Sequence, residues 1–248
     1  MSEPRNSLVK YDTIDAALDQ ERLTFQQVIA GKLEDACSIW STSQCLVAPY
    51  AFGRHKHFDK AAQISRDMGW PVSVRQTGGG VTPQGPGIMN ISLALANTSG
   101  NKLSIADSYQ LICNPIISEL HLLDVDAQCA SVEGAFCDGA YNVVANGRKL
   151  AGTAQRRSRL KQQPDRQGIF AHALLLFDAD LEAAIKAVNR LYLLMGNEQR
   201  CRASAHCNFS GLYTNTEQKP PAEYLGQRLL EGYGAEIEKL RQPKSSCT

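Results

Sequence analysis

The chain has 248 residues, of which 43% are hydrophobic and 21% charged, a composition typical of a folded globular protein and not of a disordered or fibrous one. Its formal net charge of +1 gives no broad electrostatic field, which argues against nonspecific binding to nucleic acid or to an anionic membrane. Residues 1–10 lack the apolar core of a signal peptide, and no apolar run approaches the ~20 residues that span a bilayer. We therefore predict a cytoplasmic protein.

The first half of the chain mixes helical and strand patterns. Apolar residues recur at helical spacing in two segments, 14–29 and 58–68, and Gly69 ends the second. Short apolar runs predict strands at 38–40, 45–49, 72–75 and 88–96. Residues 78–87 are rich in glycine and proline and are predicted to form a loop between two of these strands.

The second half contains the most specific local pattern, a β-hairpin. Asn146-Gly147 readily takes the positive φ angles of a two-residue turn, and strand-like runs flank it at 141–145 and 148–151. The strongly polar segment 156–167 is predicted to be an exposed loop. A buried strand is predicted at 173–177, and helices at 103–122, from Asp178 or Asp180 to 194, and at 222–241, followed by a disordered tail.

Eight cysteines are many for a cytoplasmic chain, but they form no CxxC pair and show no zinc-ligand spacing. We therefore predict that the protein has no metal site. Free cysteines usually pack in the core as small hydrophobic residues, and Cys113 in the apolar run 111–113 fits that interpretation.

The first stretch that could carry chemistry is the glycine triplet 78–80, preceded by Arg75. Three successive glycines let a ligand approach the backbone, and their N–H groups can point at a carbonyl or a phosphate. No Lys-Ser or Lys-Thr follows, so the segment is not a P-loop. A flexible turn is the simpler interpretation, and Arg75 favours an anionic or carbonyl ligand.

The second stretch is the hairpin itself. If the turn has two residues, Lys149 faces Val144 and Ala151 faces Asn142, which places Lys149 and Asn142 on one surface. Lysine is rarely buried without a partner. The sequence leaves open whether Lys149 is a buried functional group or an exposed side chain that reaches solvent.

Two motifs within 75–157 together resemble the biotin/lipoate protein ligase superfamily. Cys-x-Gly-x-Tyr-Asn at 137–142, followed by Gly-Arg-Lys-Leu-Ala-Gly-Thr-Ala-Gln-Arg-Arg at 147–157, is similar to its central motif. Arg75, the Thr-Gly-Gly core after it, and Gly-x-x-Asn-Ile-Ser-Leu at 87–93 resemble the acyl-binding segment of the cysteine-dependent octanoyl amidotransferases.

This resemblance implies an α/β (α+β) fold in which mixed, largely antiparallel sheets are flanked by helices, and a single catalytic domain over 1–248 with a tail at 242–248. It also implies that Cys137 is the thiol that accepts the acyl group and that Lys149 contacts the acyl carbonyl. The substrate-binding residues that it implies are Arg75, Thr77, Gly78, Gly79, Gly80, Asn90, Asp138, Gly139, Asn142 and Gly152.

The expected activity is transfer of an octanoyl or lipoyl group, through a Cys137 thioester, to a lysine of a lipoyl-domain protein. Expected partners are two lipoyl-domain proteins, the glycine cleavage H protein and the E2 subunit of 2-oxoacid dehydrogenases. The sequence leaves open whether the acyl donor is a lipoyl protein or an acyl carrier protein. No cofactor is expected. Lys149 would stabilise the Cys137 thiolate, and Asp138 is either a base or, more simply, a turn-forming residue.

One geometric condition applies. In a straight hairpin Cys137 lies seven residues along the strand from Val144, the partner of Lys149, or roughly 20 Å at the usual strand rise. The two groups can act together only if the chain breaks at Asp138-Gly139 and folds back over the sheet, as the glycine permits.

Two other functions remain open from the sequence. One is an ATP- and Mg-dependent lipoate or octanoate ligase that forms an acyl-adenylate. The chain ends at Thr248, which leaves little room for the extra domain of many such ligases, although some supply it as a separate chain, and 82–84 departs from ligase patterns. The other is a noncatalytic protein that binds acyl groups or lipoyl domains.

Overall fold

The structure is a computed structural model that describes residues 6–76, 78–97, 103–213 and 221–242. The strands in these ranges are β1 (Asn6–Tyr11), β2 (Asp35–Thr42), β3 (Cys45–Pro49), β4 (Val72–Arg75), β5 (Thr82–Gln84), β6 (Ile88–Asn97), β7 (Ala127–Ala130), β8 (Asn142–Ala145), β9 (Arg148–Arg159) and β10 (Gln167–Leu176). The helices are α1 (Ile14–Ile29), α2 (Tyr50–Gly53), α3 (Phe58–Asp67), α4 (Ile105–His121), α5 (Leu181–Leu194) and α6 (Ala222–Arg241), with short 3-10 turns at Ala203–Ala205 and Phe209–Leu212.

Seven strands form the main sheet, in the order β1-β2-β6-β10-β9-β8-β7, and three form a small sheet in the order β4-β3-β5. The β1/β2 and β3/β4 pairs are parallel, and the other pairs are antiparallel. The mixed, largely antiparallel α/β fold expected from the resemblance is therefore confirmed. Within the described ranges, the helices lack the combination of length and apolar character needed to cross a bilayer.

The two faces of the main sheet have different coverings because strand side chains alternate between them. On β10, Ile169 and Ala171 belong to the large apolar core that includes residues of α4 and α6. Phe170 and Leu174 point to the opposite face, where they pack in clusters that include residues of α1 and α5. This second face also lies against the small sheet, and a cavity separates part of the two sheets.

Several predicted elements are confirmed. The helices α1 and α6 have the predicted ends, and α4 begins with a reciprocal cap between Ser104 and Asp107 and continues through Pro115. The hairpin turn is also as predicted, with positive φ at Asn146 and Gly147 of 49° and 74°. Asp180, and not Asp178, caps α5, and Cys113 is fully buried in the core.

Other predictions were incomplete or wrong. The strands β1, β5 and β7 were not predicted, β5 lying within the predicted loop 78–87, and β2 is longer than the predicted 38–40. The predicted loop 156–167 is wrong at both ends, since β9 continues to Arg159 and β10 begins at Gln167. The cause is tertiary: the Arg156 guanidinium lies over an aromatic ring of α1 and one of β10, so this polar residue is accommodated in a strand. Of the predicted tail 242–248, residues 243–248 lie outside the described residues.

Candidate active site

The segment that carries Cys137 folds back over the hairpin. Cys137 itself has a φ of 43°, in the left-handed region that few residues other than glycine adopt. The Lys149 ammonium donates hydrogen bonds to the carbonyl oxygens of Phe136 at 2.6 Å and Cys137 at 3.1 Å. The condition set by the straight-hairpin distance is therefore met, because the chain turns before it enters β8.

The sulfur of Cys137 faces the glycine triplet. The backbone N–H of Gly80 donates to Sγ at 3.1 Å, and Arg75 Nη2 lies 3.7 Å from the same atom. A β-carbon at Gly79 would lie 2.7 Å from Sγ, so a side chain there would push the sulfur away. The triplet is thus a built contact surface for the thiol and not merely a flexible turn.

Arg75 ties the glycine loop together from within. Its Nη2 donates to the carbonyl oxygens of Gly78 and Gly80 at 3.0 and 2.8 Å, and its Nη1 donates to Thr82 Oγ1 at 3.1 Å. The guanidinium thus places a positive charge beside the sulfur while its donors hold the loop. Arg75 thus contacts the sulfur directly, and Lys149 bonds the carbonyl oxygens of Phe136 and Cys137.

Lys149 is wholly buried, so the exposed alternative for this lysine is wrong. Burial lowers its pKa from 10.5 to about 8, and the nearby Cys137 and Asp138 oppose that shift. Its ammonium also lies 4.6 Å from the centre of the Phe136 ring, a cation–π contact. A β-carbon at Gly152 would come within 2.9 Å of Nζ, so only glycine leaves room for the lysine there.

The register of the hairpin is as predicted next to the turn but differs by one residue farther from it. Val144 pairs with Lys149 as predicted, but a β-bulge between Val143 and Val144 pairs Val143 with Ala151, so the predicted pairing of Ala151 with Asn142 is wrong. Asn142 is nevertheless buried close to the site and donates to Asp138 Oδ1 at 2.6 Å. The same Asp138 oxygen accepts from Val132 N at 2.8 Å, which agrees with a turn-organising residue.

Among the described residues, the other predicted site residues have different surroundings. The Asn90 side chain is fully buried and exchanges two hydrogen bonds with Gln84, at 2.7 and 2.9 Å. Gly78 and Gly139 lie in open surroundings, with no other atom within 4 Å of an added β-carbon. Thr77 lies outside the described residues.

A cavity of about 400 Å³ opens beside Cys137 and Lys149, within the size range of small-molecule sites. It lies between the main sheet, the small sheet and α1, and its walls include apolar residues from each of these. Along β9 the lining runs from Lys149 through Gly152 and Ala154 to Arg156. The seven residue-to-residue steps from 149 to 156 correspond to roughly 23 Å of strand, so the cavity extends along the sheet.

Part of the lining is polar but internally bonded. We call Glu21, Trp40, Ser92 and His172 the polar wall; three of them line the cavity, and Ser92 joins them from behind. Trp40 Nε1 donates to Ser92 Oγ at 2.8 Å, the Ser92 hydroxyl donates to Glu21 Oε1, and His172 Nδ1 lies 3.0 Å from the same carboxylate oxygen. These groups satisfy one another, so the wall offers mainly ring and methylene surface to a ligand.

The polar wall was not predicted. The only sequence signal was His172, a polar residue inside the apolar run of β10, whose partner Glu21 lies 151 residues earlier. Arg156 closes the same region, with its guanidinium 4.9 and 5.0 Å from the ring centres of Phe25 and Phe170. Arg156 belongs to the motif at 147–157, but the sequence does not indicate that it lines the cavity.

The chain belongs to the family of the lipoyl protein ligase A/B catalytic domain, whose model matches residues 13–217. It is 30% identical over 199 residues to an octanoyl-GcvH:protein N-octanoyltransferase of Kyrpidia tusciae, an alignment that covers 78% of this chain and 67% of that protein. It is 36% identical over 160 residues to an uncharacterized protein of Cupriavidus necator, covering 61% of this chain and 63% of that one. The chain thus spans no more than about two thirds of these relatives.

Solved structures agree with the fold. A lipoate-protein ligase A bound with ATP superposes with a TM-score of 0.67 at 13% identity, covering 96% of this chain and 86% of that one. A bi-partite lipoate protein ligase from Thermoplasma acidophilum gives a TM-score of 0.62 at 16% identity, covering 96% and 85%. Identities this low establish the shared architecture alone.

Proposed function

We propose that the protein is an octanoyl amidotransferase that carries the acyl group on Cys137. One observation supports this most directly: a half-buried thiol lies at the wall of a largely apolar cavity, with a backbone N–H 3.1 Å from its sulfur and a buried ammonium bonded to its own carbonyl. The sulfur is therefore reachable by a ligand and surrounded by hydrogen-bond donors. A thiol buried merely for packing would need neither.

In the first step the sulfur of Cys137 attacks the carbonyl carbon of an octanoyl amide on a donor lysine. A C–S bond forms, the C–N bond breaks, and the thiol proton leaves with the donor amine. The oxygen becomes negative in the intermediate, and the N–H of Gly80 together with the charges of Arg75 and Lys149 favours that state. Donors that are already positioned act most strongly in a site from which water is excluded.

In the second step the neutral amine of an acceptor lysine attacks the thioester carbon. A new C–N bond forms, the C–S bond breaks, and the proton lost by the amine returns to the thiol. The sum exchanges one amide for a nearly identical amide. No adenylate is needed to drive that exchange, which is why the proposal requires neither ATP nor a metal.

The names of relatives support the choice of donor. The Kyrpidia protein and one from Oceanobacillus iheyensis, 31% identical over 119 residues, are both named octanoyl-GcvH:protein N-octanoyltransferases. We propose accordingly that the donor is the octanoylated glycine cleavage H protein and that the acceptor is a lipoyl domain of a 2-oxoacid dehydrogenase E2 subunit. A cytoplasmic location, expected from the sequence, belongs to the same proposal.

The test is an acylation trap without ATP. The purified protein is mixed with octanoylated H protein, and intact-mass spectrometry follows the gain of one octanoyl group on Cys137. Wild type and Cys129→Ala are expected to form the adduct, because Cys129 is also half-buried but does not line the cavity. Cys137→Ala is expected to form none. Adding a lipoyl domain should discharge the adduct and acylate that domain.

The same experiment separates the alternatives. A ligase for lipoate, as the structural neighbours are named, or for octanoate would acylate the lipoyl domain only with the free acid, ATP and Mg, and Cys137→Ala would keep that activity. A binding protein would retain the lipoyl domain on a column without turnover of either substrate. Either result would overturn the covalent proposal.

A further inference from the structure

We propose that Tyr192 and His206, two buried residues outside both sequence motifs, are positioning residues that hold the Gly80 N–H against the sulfur of Cys137. The proposal rests on the function proposed above. Neither residue lines the cavity, so each can act on the reaction only through the loops that it holds. The two loops meet where the Gly80 N–H bonds the sulfur of Cys137; Tyr192 anchors the backbone of the first loop, and His206 that of the second.

Tyr192 anchors the glycine loop. Its side chain is fully buried on α5, and its hydroxyl oxygen accepts the backbone N–H of Val81 at 2.9 Å. Val81 directly follows Gly80, so the hydroxyl fixes the peptide next to the one that bonds the sulfur. A β-carbon at Gly80 would lie 2.7 Å from this hydroxyl, which shows how closely the loop is held. Burial is the main cause that raises the pKa of Tyr192 to about 12, so the phenol stays protonated.

His206 anchors the loop that carries the nucleophile. Its Nδ1 lies 2.9 Å from the Arg202 carbonyl oxygen, which can only accept, so Nδ1 carries the proton. Its Nε2 is then free to accept, and it takes the backbone N–H of Phe136 at 3.1 Å. The ring also stacks on Phe136 with centres 4.7 Å apart. Only this neutral tautomer satisfies both partners.

Protonation of His206 would break this arrangement, because Nε2 would then point a second N–H at the N–H of Phe136. The structure opposes it: burial lowers the pKa of His206 to about 4, and the nearby Lys149 acts in the same direction. His206 accepts the N–H of Phe136 and Lys149 donates to the carbonyl of the same residue, so the histidine holds the residue that receives the lysine. The His206 ring thus helps to fix the positions of both Cys137 and Lys149.

The first variant is Tyr192→Phe, which removes only the acceptor oxygen. Its matched control is Tyr233→Phe, since Tyr233 is equally buried and bonds a backbone carbonyl, that of Ile112, at 2.7 Å, away from the cavity. We expect Tyr192→Phe to acylate Cys137 about tenfold more slowly at saturating donor, with KM unchanged because the cavity lining is intact. Amide hydrogen exchange at Val81 should accelerate. Tyr233→Phe should change neither quantity.

The second pair is His206→Gln and His206→Phe. Glutamine can place an oxygen near the position of Nε2, whereas phenylalanine keeps the stack on Phe136 but removes the acceptor. We expect His206→Gln to recover most of the acylation rate that His206→Phe loses. Thermal melting shows which variants fold. If His206→Phe does not fold, the acylation rates of Tyr192→Phe and His206→Gln test the proposal.

Failure of this inference differs from failure of the proposed function. If wild type forms no octanoyl adduct, the function is wrong, and iodoacetamide alkylation of Cys137 then replaces acylation as the readout. Slower alkylation in Tyr192→Phe than in Tyr233→Phe would still support positioning. Equal rates of acylation or alkylation in Tyr192→Phe and Tyr233→Phe would overturn the positioning role. An equal loss of rate in His206→Gln and His206→Phe would overturn it as well.

Discussion

The two regions of the cavity are built from different parts of the polypeptide. At the thiol end, formed by Cys137, Lys149 and Gly152, most hydrogen bonds involve main chain: the sulfur receives a backbone N–H, and the ammonium donates to two carbonyls. At the polar wall the bonds join side chains only, from the Trp40 indole through Ser92 to Glu21 and His172.

This difference separates two tasks. Main-chain groups are held by the fold, so the thiol end keeps its geometry whatever ligand enters, as a reacting centre requires. Side chains can be substituted one at a time without altering the backbone. The side chains of the polar wall can therefore set the shape of the cavity that an acyl chain meets. We therefore expect changes at the thiol end to slow acylation of Cys137 and changes at the polar wall to alter binding of the donor.

The largest effect is expected from Lys149→Met, which keeps the length of the side chain and removes its charge. Acylation of Cys137 by octanoylated H protein should fall by about 10²–10³, the usual cost of losing one group that stabilises an oxyanion. Quenched-flow mass spectrometry measures this rate. Lys60→Met, at an exposed lysine of α3, is the control and should behave as wild type. An unchanged acylation rate in Lys149→Met would show that the ammonium does not contribute to the reaction.

The pH dependence of stability tests the same buried charge without catalysis. Because the pKa of Lys149 is lowered from 10.5 to about 8, the unfolded chain binds one more proton than the folded one between these values. The free energy of unfolding of wild type, relative to that of Lys149→Met, should therefore rise by about 3 kcal/mol as the pH goes from 8 to 10.5.

Urea unfolding of both proteins at pH 7.5 and 10.5 measures this change. The difference between the two proteins cancels the other groups that titrate in that range. A difference that stays constant with pH would mean that Lys149 keeps an ordinary pKa, and that its burial costs little.

A smaller effect is expected from Gly152→Ala. The new β-carbon would lie 2.9 Å from Lys149 Nζ and 3.0 Å from Cε, so the ammonium must shift from the two carbonyls that it bonds. We expect about tenfold slower acylation and a loss of stability of about 1–3 kcal/mol. Gly211→Ala, where an added β-carbon meets no atom within 4 Å, should change neither. Wild-type kinetics in Gly152→Ala would show that the position of the lysine is not critical.

The smallest effect is expected from Ser92→Ala at the polar wall. The Trp40 indole would lose its acceptor, at a cost of about 1 kcal/mol in the free energy of unfolding. KM for octanoylated H protein should rise, while the acylation rate at saturating donor stays the same, because Ser92 does not contact the sulfur or the lysine. A fall in the saturating rate with an unchanged KM would contradict the division between the two regions.

The sequence by itself determined the elements whose signals are local. The period of α1 and the turn chemistry of Asn146-Gly147 gave their positions, and the mixed α/β class and the family followed from motifs within 75–157. Helix period and turn preference act over a few residues, so one sequence suffices to read them. The nomination of Cys137 and Lys149 as catalytic residues came from the same motifs and stays a prediction.

Tertiary structure decided which groups surround the sulfur. The Gly80 contact joins residues 57 apart in the chain, Tyr192 holds Val81 across 111 residues, and His206 holds Phe136 across 70. The bulge in the β8/β9 pair and the continuation of β9 through Arg156 likewise depend on their neighbours in space. Such contacts are fixed by strand order and by packing between layers, which no local pattern encodes, so the partners of the thiol could be known only from the folded chain.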